Sequence, residues 1–144
     1  MAIRVTVGAE DQPRLEDMEF LGEQLARFNA EQAGEDNFRR LALFLRAEDG
    51  SIVGGLVGAT YWQWLYVDLL WVDERLRGQG YGGQLLAAAE QEARERGCLG
   101  AFLDTFSFQA PSFYLRRGYV VCGEVADFPT GHRRYGLKKN LQSD

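Results

Sequence analysis

Histidine, cysteine and proline are scarce in this chain of 144 residues, which has one, two and three of them. Cys98 and Cys122 lack the spacing of a metal cluster or a redox pair, so no metal site is expected. They read as two small buried hydrophobes in a reducing compartment. No stretch approaches the roughly 20 apolar residues of a membrane span. The opening Met-Ala-Ile-Arg-Val-Thr-Val lacks the apolar run of a secretory signal, and a cytoplasmic location is expected. A basic excess is missing as well. The formal net charge of -5 argues against a nucleic-acid binder, whose footprint is a basic patch. That charge suits a site that attracts cations, and it serves solubility equally well. Linkers, repeats and low-complexity tracts are absent, so residues 1–144 read as one domain.

What is present suffices for a packed core, at 46% hydrophobic and 12% aromatic residues. Ile3 to Val7 reads as a strand. Pro13 to Asn29 reads as one or two helices, with Leu15, Met18, Leu21, Leu25 and Phe28 at spacings of three and four. Leu41–Arg46 and Ile52–Tyr61 flank an Asp49-Gly50 pair, a strong hairpin signal. Trp62-Gln63-Trp64 turns into a strand from Leu65 to Val72. Gln79 to Arg96 is the clearest helix, with a stripe of Leu85, Leu86, Ala89 and Ala93. Glu90–Arg94 and Glu92–Arg96 are i,i+4 pairs on that helix, and Gly97 is its stop. Ala101–Asp104 is a short buried strand, and Pro111–Arg117 a short helix ended by Gly118. Tyr119–Val125 and His132–Leu137 close the chain as a hairpin. This is a mixed α/β chain with a largely antiparallel sheet.

Most of the chemistry lies in Arg77-Gly78-Gln79-Gly80-Tyr81-Gly82-Gly83, between a strand and a helix. Four glycines in six positions exceed what a plain turn needs. Glycine lets backbone come close to a ligand, and the unpaired N–H groups of an opening helical turn attract phosphate oxygens. Gly78, Gly80 and Gly83 match G-x-G-x-x-G, with Asp104 about twenty residues on, as in dinucleotide folds. Context opposes that match. Five residues separate the first glycine from its strand, and too little chain follows for further βαβ units. A Walker loop is excluded because no Gly-Lys-Ser/Thr follows.

The pattern Val72-x-x-x-x-Arg77-x-x-Gly80-x-Gly82 resembles the acetyl-coenzyme A pyrophosphate loop of the GNAT superfamily of N-acetyltransferases. A second segment, Gln109 to Tyr119, resembles that superfamily's later motif A-x-x-F-Y-x-x-x-G-F/Y, in Ala110, Phe113, Tyr114, Gly118 and Tyr119. The resemblance implies a single mixed-sheet domain of six to seven strands with about four helices, a homodimer in many members, and acetyl-coenzyme A as cofactor. It also implies that Arg77, Gly78, Gln79, Gly80, Tyr81 and Gly82 hold the pyrophosphate. The strand ending in Leu70-Trp71-Val72 would splay from its neighbour and pair with the pantetheine arm. Phe113 and Tyr114 would line the same cofactor, and Ser107 stands where the family often has an asparagine contact.

Acetyl transfer to an amine needs a held cofactor, a deprotonated nucleophile, a polarised carbonyl and a proton for the leaving thiolate. Tyr114 is the expected acid, since a tyrosine hydroxyl is protonated at neutral pH. By residue type alone, Phe113 and Tyr114 would read as core aromatics. Alternation along one strand puts Trp64, Tyr66, Asp68, Leu70 and Val72 on one face, making Asp68 a carboxylate among apolar neighbours and the expected base. A solvated bulge or sheet edge is the competing reading of Asp68. His132 is a second candidate base, otherwise a turn residue beside Gly131. Neither cysteine has a base beside it, which favours direct transfer. The expected acceptor is a small cationic amine held by Trp62, Trp64 and Tyr66 beside Asp68, and the resemblance implies that Phe28 and Asn29 wall the same site. A non-catalytic acyl-coenzyme A-binding domain, or an enzyme acting on protein lysine or N-terminal amines, are the alternatives.

Overall fold

The Asp49-Gly50 pair closes a hairpin in the computed structural model, which describes residues 2–142. Strands β1 (Arg39–Arg46) and β2 (Ile52–Tyr61) run antiparallel from Arg39↔Thr60 to Arg46↔Ile52. In the turn, the Asp49 carboxylate accepts from the Ser51 N–H and hydroxyl, at 2.9 and 2.7 Å. β3 (Trp64–Val72) returns along β2 through a two-residue turn at Trp62 and Gln63, whose φ values of 45° and 62° are the left-handed pair such hairpins use. Helix α2 (Tyr81–Glu95) then crosses over to β4 (Gly100–Phe106), which pairs with β3 in parallel. Helix α3 (Pro111–Leu115), β5 (Val120–Ala126) and β6 (Arg133–Asn140) follow, giving the strand order β1-β2-β3-β4-β6-β5.

The stripe predicted on α2 is its core face. Leu85, Leu86, Ala89 and Ala93 pack on Leu41, Leu56, Leu65, Val67, Ala101, Leu103 and Leu137, all buried. Of the two charge pairs expected on α2, Arg96–Glu92 forms at 3.0 Å. Glu90 instead turns inward, 5% exposed, and Arg94 donates to the Leu141 carbonyl at 3.0 Å.

The chain divides into two compact units, up to Asp36 and from Asn37 onward. The first holds α1 (Leu15–Ala33), one uninterrupted helix with Glu16 and Asp17 in its first turn and Gly34 as its C-cap. The strand expected over Ile3–Val7 does not form, and those side chains are exposed. Alternation there supplies β propensity, but a strand exists only against a partner, and all six strands of the sheet pair among themselves. Three α-helices and one 3-10 turn, Glu74–Leu76, are present among the described residues, against the four helices expected. Cys98 is buried as expected. Cys122 is exposed, because it sits at a register shift on the edge strand β5.

Candidate active site

β3 and β4 pair only from Trp64↔Gly100 to Val67↔Leu103. Beyond that point β3 continues to Val72 and β4 to Phe106 without pairing to each other, so the sheet forks. On the other side of β3 the ladder with β2 shifts register, Val57 facing Leu69 and Gly58 facing Val67, which leaves Asp68 as the extra residue of a bulge. Gly58 makes this close approach possible. A Cβ there would stand 2.2 Å from the Tyr66 carbonyl oxygen.

The bulge overturns the single-face reading of this strand. Leu70 and Val72 pack against the α2 core beside Leu65 and Val67, whereas Trp64 and Tyr66 look to the opposite side. Asp68 is exposed and not enclosed by apolar side chains, because an inserted residue resets the two-residue alternation. Tyr66 stacks on Phe102, with centroids 6.1 Å apart, and its hydroxyl lies 3.5 Å from Asp104 Oδ2. Burial first, then the charges of Asp104 and Asp68, push the Tyr66 hydroxyl above its ordinary range. Asp104 is also held by Arg134 at 3.3 Å. Asp104 therefore meets the Tyr66 hydroxyl where the sheet opens, a contact that becomes visible only once the strands are placed.

The glycine loop follows the same strand. Asp73 caps the 3-10 turn, accepting from the Arg75 backbone and side chain, and these bonds lower its carboxyl to about 2. Arg77 Nε donates to the Val72 carbonyl at 2.9 Å, tying the loop to the end of β3. Gly78 and Gly80 have φ of 78° and 88°, and a Cβ on either would meet nothing within 4 Å, so the loop faces open space. The first N–H bond inside α2 is Gln84 to Gly80, which leaves the amides of Tyr81, Gly82 and Gly83 without intrahelical partners. No acidic residue stands in that first turn. Gln79 Nε2 reaches back to the Arg75 carbonyl at 3.3 Å. These residues fit a pyrophosphate, by open backbone donors, a helix N-terminus and an adjacent guanidinium.

Helix α3 packs on this loop. A Cβ at Gly82 would lie 3.3 Å from the Phe113 ring, and one at Gly83 2.8 Å from the Arg117 guanidinium, which itself covers Phe113 at 3.9 Å. Tyr114 meets Phe113 edge to face at 5.0 Å, is half-buried, and has its hydroxyl raised above the ordinary range by burial. Ser107 exchanges bonds with Arg133, its N–H donating to the Arg133 carbonyl and its Oγ accepting from the Arg133 N–H.

Of the other predicted contacts, Trp62, Trp64 and Tyr66 line one cavity. Trp71 is exposed at the end of β3. Trp62 lies in the hairpin turn, and Trp64 is six residues before Leu70, roughly 20 Å along a strand. A cavity of about 340 Å³ is lined by Tyr61, Trp62, Trp64, Tyr66 and Phe102, and its charged residue is Lys138, not Asp68. Phe28 is exposed and Asn29 half-buried on α1, in the first unit. His132 is in the β5–β6 turn, edge-on to Phe108 at 5.1 Å.

Residues 10–119 match the acetyltransferase (GNAT) family. The chain belongs to this family. It is 48% identical over 101 residues to blasticidin-S acetyltransferase of Streptomyces morookaense, covering 69% of this chain and 74% of that one. An acetyltransferase of Agrobacterium fabrum is 43% identical over 117 residues, with 81% and 85% covered. The crystal structure of an acetyltransferase from Bacillus cereus superposes with a TM-score of 0.83 at 35% identity, over 92% of this chain and 97% of that one. The GNAT chain is thus an acetyltransferase that uses acetyl-coenzyme A and acts on an amine.

Proposed function

We propose that this GNAT enzyme acetylates the primary amine of a small cationic molecule by direct transfer. The observation that carries the reading is the fork of the sheet, where the exposed Asp68 carboxylate sits on the bulge of β3 and Asp104, paired with Arg134, lies 3.5 Å from the Tyr66 hydroxyl. Carboxylates at that point attract an ammonium group, and the net charge of -5 works in the same direction at long range. The similarity to a relative named for acetylating blasticidin S supports a small molecule over a protein tail. No helix among the described residues is long and apolar enough to cross a membrane, and the cytoplasm is the proposed location.

Acetyl-coenzyme A, when bound, supplies an acetyl group as a thioester. The amides of Gly78, Gln79, Gly80, Tyr81 and Gly82, with Arg77, bind its pyrophosphate. The backbone of Leu70, Trp71 and Val72, unpaired on the β4 side, offers donors and acceptors at strand spacing to the extended arm. Phe113 shapes the wall beside Gly82, and the Ser107 hydroxyl hydrogen is left to donate at the loop before α3. Asp68 Oδ takes the proton that the acceptor ammonium must lose before its nitrogen can attack. Tyr114 Oη holds the proton that the departing sulfur needs, as any tyrosine hydroxyl does at neutral pH, and desolvation raises the hydroxyl's pKa further.

The test is a screen of spermidine, glucosamine, lysine, blasticidin S, a neutral amine and an acidic amine at low and high salt, read by acceptor-dependent thiol release. Preference for the cationic acceptors, weakening as salt screens the charges, supports the reading. Acetylation of the neutral or acidic amines alone, or of a folded protein alone, overturns it.

A further inference from the structure

Three titratable side chains lie beneath Tyr114 and take no part in the chemistry above. Glu90 faces inward from the middle of α2 at 5% exposure, and Tyr119, just before β5, is 2% exposed. Lys139 comes from β6. The Tyr119 hydroxyl donates to Glu90 Oε2 at 2.8 Å, and Lys139 Nζ donates to Glu90 Oε1, also at 2.8 Å. The same ammonium lies 5.6 Å from the centroid of the Tyr119 ring. Segments distant in sequence thus meet at one buried carboxylate.

Tyr119 touches Tyr114 in two ways. The rings meet edge to face with centroids 5.8 Å apart, and the Tyr119 N–H donates to the Tyr114 carbonyl at 3.1 Å. Helix α3 has five residues, too few to hold an orientation through its own hydrogen bonds. The pose of Tyr114 is therefore set by what α3 lies on, Gly82 on one side and Tyr119 on the other.

Stability alone does not explain charged groups at this place. Removing a carboxylate and an ammonium from water costs about as much as their attraction returns, and apolar residues of similar volume often serve a fold as well or better. A phenylalanine at position 119 would fill the same space. What a satisfied polar network adds is direction, because its bonds select one arrangement of the groups that carry it.

We propose that Glu90, Lys139 and Tyr119 are positioning residues that hold the Tyr114 hydroxyl in place for proton delivery, which rests on Tyr114 being the acid. Burial, and then the charge of Glu90, keep the Tyr119 hydroxyl protonated far above its ordinary range, so the brace persists at every working pH.

The experiment is a kinetic cycle on the full chain, with whichever amine of the screen above is turned over fastest. Tyr119→Phe and the apolar triple Glu90→Met, Lys139→Met, Tyr119→Phe are each made with and without Tyr114→Phe. The triple leaves no orphaned charge and answers the question if the single variant does not fold. Both brace variants should lower kcat by roughly 10- to 100-fold, as a misplacement of about 1 Å can. The acceptor KM and coenzyme A affinity should stay put. In the Tyr114→Phe background the same changes should cost nothing further, because residues that act as a unit are not additive. Full kcat in the apolar triple, or an equal loss in both backgrounds, overturns the brace. Full kcat in Tyr114→Phe itself removes the premise and the brace with it, while leaving acetyl transfer standing. No turnover of any amine would instead sink the proposed function.

Discussion

Gly80 and Gly97 stand at the two ends of α2 with nearly the same backbone, φ 88° and 82°, and a Cβ on either would meet nothing within 4 Å. Valine at either position therefore pays for the left-handed conformation and not for a clash, about 1–2 kcal/mol. Unfolding entropy of about 2.1 cal/mol/K per residue gives about 0.3 kcal/mol/K for the whole chain, so each variant should lose about 3–7 °C of Tm. The two should part in ligand binding. At Gly80 relief of that strain rotates the two flanking peptides, which present the Gly80 and Tyr81 amides. Losing two bonds to a charged group, at about 1.5–3 kcal/mol each, weakens coenzyme A by roughly 10²- to 10⁴-fold. Gly97 is at the far end of the helix and should keep wild-type affinity. Thermal melts and calorimetric titration with coenzyme A on both variants decide the matter. Unchanged affinity in Gly80→Val, or equal loss in Gly97→Val, would refute the loop as the pyrophosphate site.

Tyr114→Phe should lower kcat by about 10²- to 10⁴-fold, the range for a lost general acid, with coenzyme A affinity nearly unchanged because the ring stays. Steady-state kinetics check this, and unaltered turnover returns Tyr114 to a packing role. Gly58→Ala drives a Cβ against the Tyr66 backbone carbonyl, which cannot swing aside as a side chain would. It should cost about 3 kcal/mol in urea unfolding, the upper end for overpacking; a loss near zero would contradict the tight bulge. Tyr114 and Tyr119 both have hydroxyls raised by burial, so the folded chain keeps protons that the unfolded chain releases above about pH 10. The contribution of these two hydroxyls to stability should be level below that pH and fall as pH rises through it, so the alkaline loss should be less steep in Tyr119→Phe. A denaturation midpoint that rises with alkali would reverse the sign.

Features set by neighbours in sequence were legible before the fold was known. The Asp49-Gly50 hairpin, the α2 stripe and the helix opened by Pro111 each depend on a few adjacent residues. The glycine loop was legible for a related reason, since its backbone conformation and its chemistry lie in one continuous segment. For Asp68 the sequence leaves an apolar face and a solvated bulge both open, and the bulge is what forms, because a bulge belongs to a pair of strands and Gly58 on β2 makes room for it. Glu90 looked like a surface partner for Arg94, as helix spacing suggests. Its actual partners, Tyr119 and Lys139, are 29 and 49 residues away, and no local pattern brings them together. The aromatic run Trp62, Trp64 and Tyr66 reads as one cluster in sequence. The fold keeps the three at one cavity, and only Tyr66 also reaches the fork.

Acceptor-dependent transfer separates an acetyltransferase from a domain that only binds the cofactor. Purified protein, acetyl-coenzyme A and each amine of the screen would be followed by thiol release and by the mass of the acceptor. The expected result is free coenzyme A appearing in step with an acceptor heavier by one acetyl group, fastest for a cationic amine. Tight coenzyme A binding with no acetylated product from any amine would contradict it and leave a domain that binds the cofactor without using it.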